Sequence, residues 1–174
     1  MKRNIQVWDY AGHILEQTGK GILVTAKVDG KVNPMTIGWG TLGIQWGKPI
    51  FIVFVRESRY TKQLLDQNGE FTINVPMGGD VKNILSVCGT RSGRDMDKVA
   101  HLGLTLEDPQ TISVPGIKEL PLTLECKVIY KQEQLPEAIN AENTKRYYPK
   151  DAKGNGDYHT AYYGQITAAY LIED

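Results

Sequence analysis

Two arginines, two aliphatic hydroxyl side chains and the start of a helical pattern fall within six residues, Arg56-Glu57-Ser58-Arg59-Tyr60-Thr61. An unbroken apolar run, residues 50–55, precedes them and reads as a strand buried on both faces. Residues 62–68 follow, with Tyr60, Leu64 and Leu65 on one side of a helix and Ser58 placed to cap it. Guanidinium groups, hydroxyls and the free N–H groups of a helix start suit a phosphate. A plainer arrangement fits the same residues, with Ser58 capping the helix and both arginines in solvent.

Upstream, residues 35–46 form an extended segment punctuated by Gly38, Gly40 and Gly43, with Gly47 just beyond. Glycine weakens a strand unless a bulge, a barrel corner or a ligand against the backbone needs the missing side chain. Other chemistries find no support. Gly154-Asn155-Gly156 lacks a third glycine, follows no apolar strand and opens no helix, so it is no dinucleotide fingerprint. His13 suits a surface or capping place, His101 a structural place in a short helix, and His159 a structural place in a strand. Cys88 and Cys126 give neither a disulfide framework nor zinc spacing.

These groups must be positioned by a single domain, residues 1–174, long enough for a core without staples. Twenty basic and twenty acidic residues cancel, which argues against nucleic acid or an anionic membrane as partner. No apolar run approaches a membrane span, and polar Asn4, Gln6 and Asp9 spoil any signal peptide, so a cytoplasmic protein is expected. The pattern predicts a helix over 10–17 stopped by Gly19, then a strand over 21–28 turning at Asp29-Gly30. The next strand starts near Val32 and continues through the glycine-rich segment. A half-buried strand is expected at 71–75, a helix over 81–87 capped by Asp80, and a polar loop over 88–95. A helix over 96–102 follows, capped by Asp95 and ended by Gly103. Residues 120–132 alternate as a strand with Cys126 inward, 136–156 make a polar excursion with a helix over 137–147, and 158–172 form the last strand. Many strands with short helices favour an antiparallel barrel.

Asn33-x-Met35-Thr36-Ile37-x-Trp39 and Arg56-x-Ser58-Arg59-Tyr60-Thr61 resemble the flavin reductase-like family of FMN-binding split barrels, which includes the flavoredoxins. Residues 70–76, 92–99, Gly103-Leu104, Pro115-x-Ile117, 124–128 and Gly164-Gln165 continue the resemblance in order. It implies an all-β-dominated chain with short helices, folded as an antiparallel Greek-key split β-barrel of FMN-binding type. It implies FMN as cofactor, with Met35, Thr36, Ile37, Gly38 and Trp39 at the ring and Arg56, Ser58, Arg59, Tyr60 and Thr61 at the phosphate. Cys88, Ser92, Arg94 and Lys98 would approach it too. NADH or NADPH would donate hydride, free flavin or another acceptor would receive electrons, and a homodimer would complete the site. An electron carrier of flavoredoxin type, without its own nicotinamide oxidation, is the alternative. His159 falls one residue later than the family's histidine, which makes it a weak candidate.

Overall fold

The computed structural model describes residues 1–173. A short strand β1 (Lys2–Asn4) leads to helix α1 (Ala11–Lys20), which continues through Gly19 and ends at Gly21, beyond the expected stop. Asp29 and Gly30, with φ of 49° and 79°, then fold β2 (Ile22–Val28) tightly onto β3 (Lys31–Ile37). The chain leaves the ladder at Gly38 and Trp39, so the single glycine-rich strand expected there is two. The second piece, β4 (Gly40–Gln45), turns at Trp46-Gly47 into β5 (Lys48–Arg56).

Helix α2 (Tyr60–Gln67) and β6 (Glu70–Val75) follow, then α3 (Lys82–Thr90) and α4 (Lys98–Leu102). A two-stranded ribbon, β7 (Leu106–Glu107) with β8 (Gly116–Ile117), precedes the long β9 (Leu122–Glu133). Helix α5 (Ala141–Tyr147) interrupts the path to the last strand, β10 (His159–Ile172). The main sheet runs β3-β2-β6-β9-β10-β5-β4, with β1 on β10, and every pairing is antiparallel. Consecutive strands β3 and β4 are thus the two ends of the sheet, joined only by Gly38-Trp39. This is the split of an antiparallel split barrel, the fold class expected from the sequence.

The interior is filled by Phe51, Val53, Val55, Phe71, Ile73, Leu124 and Tyr162. Gly164 makes this possible: a Cβ there would lie 2.4 Å from the Phe71 ring, where β10 also shifts register against β9. Strand β5 is not buried on both faces, because Ile52 and Phe54 on its outer side are half-buried. Strand β6 departs the other way. Thr72 and Asn74 are fully buried because the 105–121 segment covers that face and takes their hydrogen bonds, Thr72 to Pro115 O at 2.9 Å. Helix α3 continues to Thr90, so Cys88 is a buried helical residue and not part of a loop. Asp97, not Asp95, caps α4, accepting from Ala100 N at 3.0 Å. Among the described residues no helix is long and apolar enough to cross a membrane.

Candidate functional site

The split between β3 and β4 opens a cleft of two adjoining hollows that share Met35, Arg59 and Gly89. The larger, about 200 Å³, is lined by Thr36, Ile37, Gly38, Trp39, Phe54, Arg56 and His159. The smaller, about 80 Å³, is lined by Ser58, Tyr60, Thr61, Cys88, Arg91, Ser92, Arg94 and Lys98, among others. Each residue that the resemblance placed at the cofactor, and His159 with them, therefore lies along this one cleft. Arg56, Arg59, Arg91, Arg94 and Lys98 contribute five cations to its lining, and among the described residues no carboxylate lines it. In a chain of zero net charge, that concentration of basic side chains is chemistry suited to an anion.

Lys98 is the most constrained of the five. It is 3% exposed, and its Nζ donates to Pro34 O at 2.9 Å and Cys88 O at 3.1 Å. An ammonium has three donors, so one stays available to the hollow. Burial pulls its pKa below the usual lysine range, and Arg59 adds to that. Burial pushes the Cys88 thiol up to about 11, so it is no nucleophile at neutral pH.

Ser58 does not cap α2. Its Oγ donates to Asp157 Oδ2 at 2.6 Å and its backbone N–H to Oδ1 at 3.0 Å, while Arg59 occupies the cap position without a side-chain bond. Arg56 is also engaged, donating from Nη1 to Asp157 O at 2.6 Å and from Nη2 to Tyr147 O at 3.0 Å. Thr61, 1% exposed, accepts from Asn33 Nδ2 at 3.0 Å and donates to Met35 Sδ at 3.4 Å. Arg94 donates to Ser58 O at 3.2 Å and lies over the Tyr60 ring. Arg59 lines both hollows, and of the first N–H groups of α2 that of Lys62 donates to Arg59 O at 3.1 Å, leaving those of Tyr60 and Thr61 without an acceptor in the helix.

On the other side, Thr36 Oγ1 donates to Leu85 O at 2.7 Å, tying β3 to α3. Gly93 lets the loop before α4 lie on β3, since a Cβ there would stand 2.0 Å from Asn33 Oδ1. His159 is 6% exposed, with Nδ1 2.8 Å from the Tyr148 hydroxyl and its ring 5.2 Å from Trp39. Burial and then Arg56 pull its pKa down to about 4, so it is uncharged at neutral pH. The strand histidine thus lines the cleft as well as packing in the barrel wall.

From the sequence, Tyr147 and Tyr148 stand out only as aromatic material for a dimer interface and Asp157 has no assigned role, because their partners Arg56 and Ser58 lie more than ninety residues away. The unusual length of the excursion carrying them signalled a contact. No group of three or more His, Cys, Asp or Glu side chains able to hold a metal occurs among the described residues.

Residues 18–174 match the family model described as flavin reductase like domain. A solved flavoredoxin from Methanosarcina acetivorans is 29% identical, with a TM-score of 0.67 over 88% of this chain and 68% of that one. An FMN-binding domain of a flavin reductases-like enzyme from Shewanella baltica, 20% identical, shares the fold with a TM-score of 0.67 over 98% of this chain and 77% of its own. An uncharacterized protein of Archaeoglobus fulgidus is 35% identical over 103 residues, 59% of this chain and 57% of that protein. The match thus spans little more than half of that relative's length.

Proposed function

This chain belongs to the flavin reductase like domain family, and on that premise we propose that it binds FMN in the cleft and reduces it with NADH or NADPH. The observation that carries the reading is a lining of five cations and, among the described residues, no carboxylate, with a buried lysine donor left over. A flavin phosphate carries about two negative charges and matches that site.

Lys98, Arg59 and the N–H groups of Tyr60 and Thr61 hold the phosphate, while the Ser58 hydroxyl and two of the five Arg56 donors are engaged by the strand-end loop. Arg94 stands at the rim. The backbone of residues 36–39, where the chain leaves the ladder, lies along the larger hollow and presents main-chain groups to the ring. Bound FMN supplies the redox chemistry itself, accepting hydride at its ring. The protein's part is alignment and exclusion of water, and no side chain has to donate a proton. His159, kept uncharged beside Arg56, offers a hydrogen bond but no imidazolium proton at neutral pH.

The same reading calls for a second copy of the chain. Ile52, Phe54 and Tyr163 form a half-buried apolar outer face on β5 and β10, and Phe54 also lines the cleft. Tyr130 packs on Tyr163 with ring centroids 5.0 Å apart, and 63%-exposed Trp46 packs on Tyr130. A homodimer through this face would bury the aromatic patch and close the ring end of the cleft.

The test is an absorption spectrum of the purified protein with FMN, then with NADH and NADPH. A flavin spectrum that bleaches on nicotinamide addition supports the reading. Failure to take up FMN ends it. Uptake without bleaching favours the carrier that a protein partner reduces.

A further inference from the structure

The excursion between β9 and β10 is fastened to the cleft at both ends. Arg56 reaches two of its carbonyls, Tyr147 O and Asp157 O, from one guanidinium. The Asp157 carboxylate holds the Ser58 hydroxyl and N–H, and Glu57 N donates to Tyr158 O at 2.9 Å. Tyr148 stacks on Tyr158 with centroids 5.1 Å apart. Residues 149–155 between these anchors are exposed and close on themselves through Asp151. The result is a strap pinned at its ends, with Tyr147 at the cleft.

Tyr147 meets Trp39 edge-on, ring centroids 5.1 Å apart at 88°, and Trp39 in turn lies 5.2 Å from His159. Trp39 is 43% exposed and sits on the two-residue link between β3 and β4, which has no ladder partner. Nothing in the link itself fixes that indole, whereas an aromatic edge-to-face contact is worth about 0.5–1.5 kcal/mol beyond area burial.

We infer that Tyr147, held in place by the Arg56 clasp, sets which second reactant reaches the ring end of the cleft by fixing Trp39 as its outer wall. This rests on the FMN reading for its substrate class, planar acceptors or donors of electrons, but the wall is a property of the chain alone. Arg56 then acts as a positioning residue through the strap. Small acceptors pass the wall, and bulky planar ones are slowed by it.

Two measurements on the full chain test this. In the first, flavin-free protein is treated with diethyl pyrocarbonate, and labelling of His159 is followed by peptide mass mapping against exposed His101. Tyr147→Ala and Arg56→Ala should each speed His159 labelling at least about fivefold relative to His101, since loss of the wall opens the cleft locally. Unchanged labelling in Tyr147→Ala overturns the proposal. Loss of FMN affinity in Arg56→Ala with labelling unchanged overturns the clasp and makes Arg56 a phosphate ligand.

In the second, FMN-loaded protein is reduced with dithionite and reoxidised in a stopped-flow instrument by ferricyanide or by a naphthoquinone sulfonate. Tyr147→Ala should speed the quinone reaction at least about fivefold and move the ferricyanide reaction by less than about twofold. Equal changes for both acceptors overturn the proposal. If the wild-type chain takes up no FMN, the cofactor reading falls, and the labelling result still decides whether the wall exists.

Discussion

Lys98 Nζ donates to the carbonyl of Pro34 at 2.9 Å, tying α4 to β3 beside the smaller hollow of the cleft. A buried ammonium held only by carbonyls lacks the counter-charge that usually accompanies burial, and a phosphate would supply it. Because burial pulls the Lys98 pKa down, its charge is lost at lower pH than an exposed lysine's. FMN affinity should therefore fall as pH rises toward the ordinary lysine value of 10.5, whereas riboflavin affinity should not. Lys98→Met should weaken FMN binding at least about tenfold, the scale of one charged hydrogen bond, and remove the slope. Isothermal titration of both ligands across pH is the check, and a slope that persists in Lys98→Met would place the titrating group elsewhere.

His159 gives a second pH signature. Its folded-state pKa of about 4 lies below the ordinary 6.5, so the unfolded chain binds more protons in that window. Its contribution to stability is full above pH 6.5 and is lost as pH falls toward 4, by up to about 3 kcal/mol. Asp66, with its carboxylate held near 2 by Lys62, Tyr162 and Lys131 against the opposing cost of burial, adds losses only at still lower pH. Denaturant midpoints of His159→Gln should be flatter than wild type between pH 6.5 and 4. Bleaching of bound flavin by a nicotinamide should change less than about tenfold in the same variant, because general acid–base catalysis contributes a hundredfold or more. A hundredfold loss with FMN still bound would make His159 a proton-transfer group.

Two glycines separate stability from binding. A Cβ at Gly164 would strike the Phe71 ring and Cys126 inside the barrel, so Gly164→Ala should cost about 1–3 kcal/mol of stability. A Cβ at Gly93 would strike Asn33, which in turn bonds Thr61, so Gly93→Ala should lift the loop carrying Arg91 and Arg94 and weaken FMN binding. Thermal melts with and without FMN distinguish the two. Equal FMN-dependent stabilisation in Gly93→Ala and wild type would show that the loop is not part of the site.

The outer face of β5 and β10 predicts the assembly. Light scattering of the FMN-loaded protein at micromolar concentration should give twice the chain mass. The double substitution Ile52→Glu, Tyr163→Glu should return it to the monomer by placing charges in the apolar face. A monomer mass for the wild type would remove the second copy from the account.

The cleft was legible because its residues sit in short runs whose types suit an anion: Arg56 to Thr61 at a strand end, and the glycine-broken stretch around Trp39. The roles within it were less so. Ser58 looks like a cap by position, but a carboxylate nearly a hundred residues away takes both of its donors. Arg56 looks like a phosphate ligand, and its bonds to the carbonyls of Tyr147 and Asp157 add a structural role that the sequence does not show. Strands β6 and β9 read as half-buried because Thr72, Asn74, Thr123 and Glu125 alternate with apolar residues. Their polar side is in fact roofed by the 105–121 segment, with Glu125 accepting from Gln110 N and Thr111 N at 2.7 Å. Local pattern records residue type, whereas these outcomes depend on long-range partners that periodicity does not encode.

The central claim is that the cleft reads a flavin phosphate, and comparing FMN with riboflavin on the wild-type chain tests it most directly. The ring and ribityl chain are common to both, so the difference isolates the phosphate. With Lys98 and Arg59 each supplying a charged hydrogen bond of about 1.5–3 kcal/mol, FMN should bind at least about a hundredfold more tightly. Equal affinities at moderate ionic strength would contradict the account, because the five cations of the cleft would then serve some other anion.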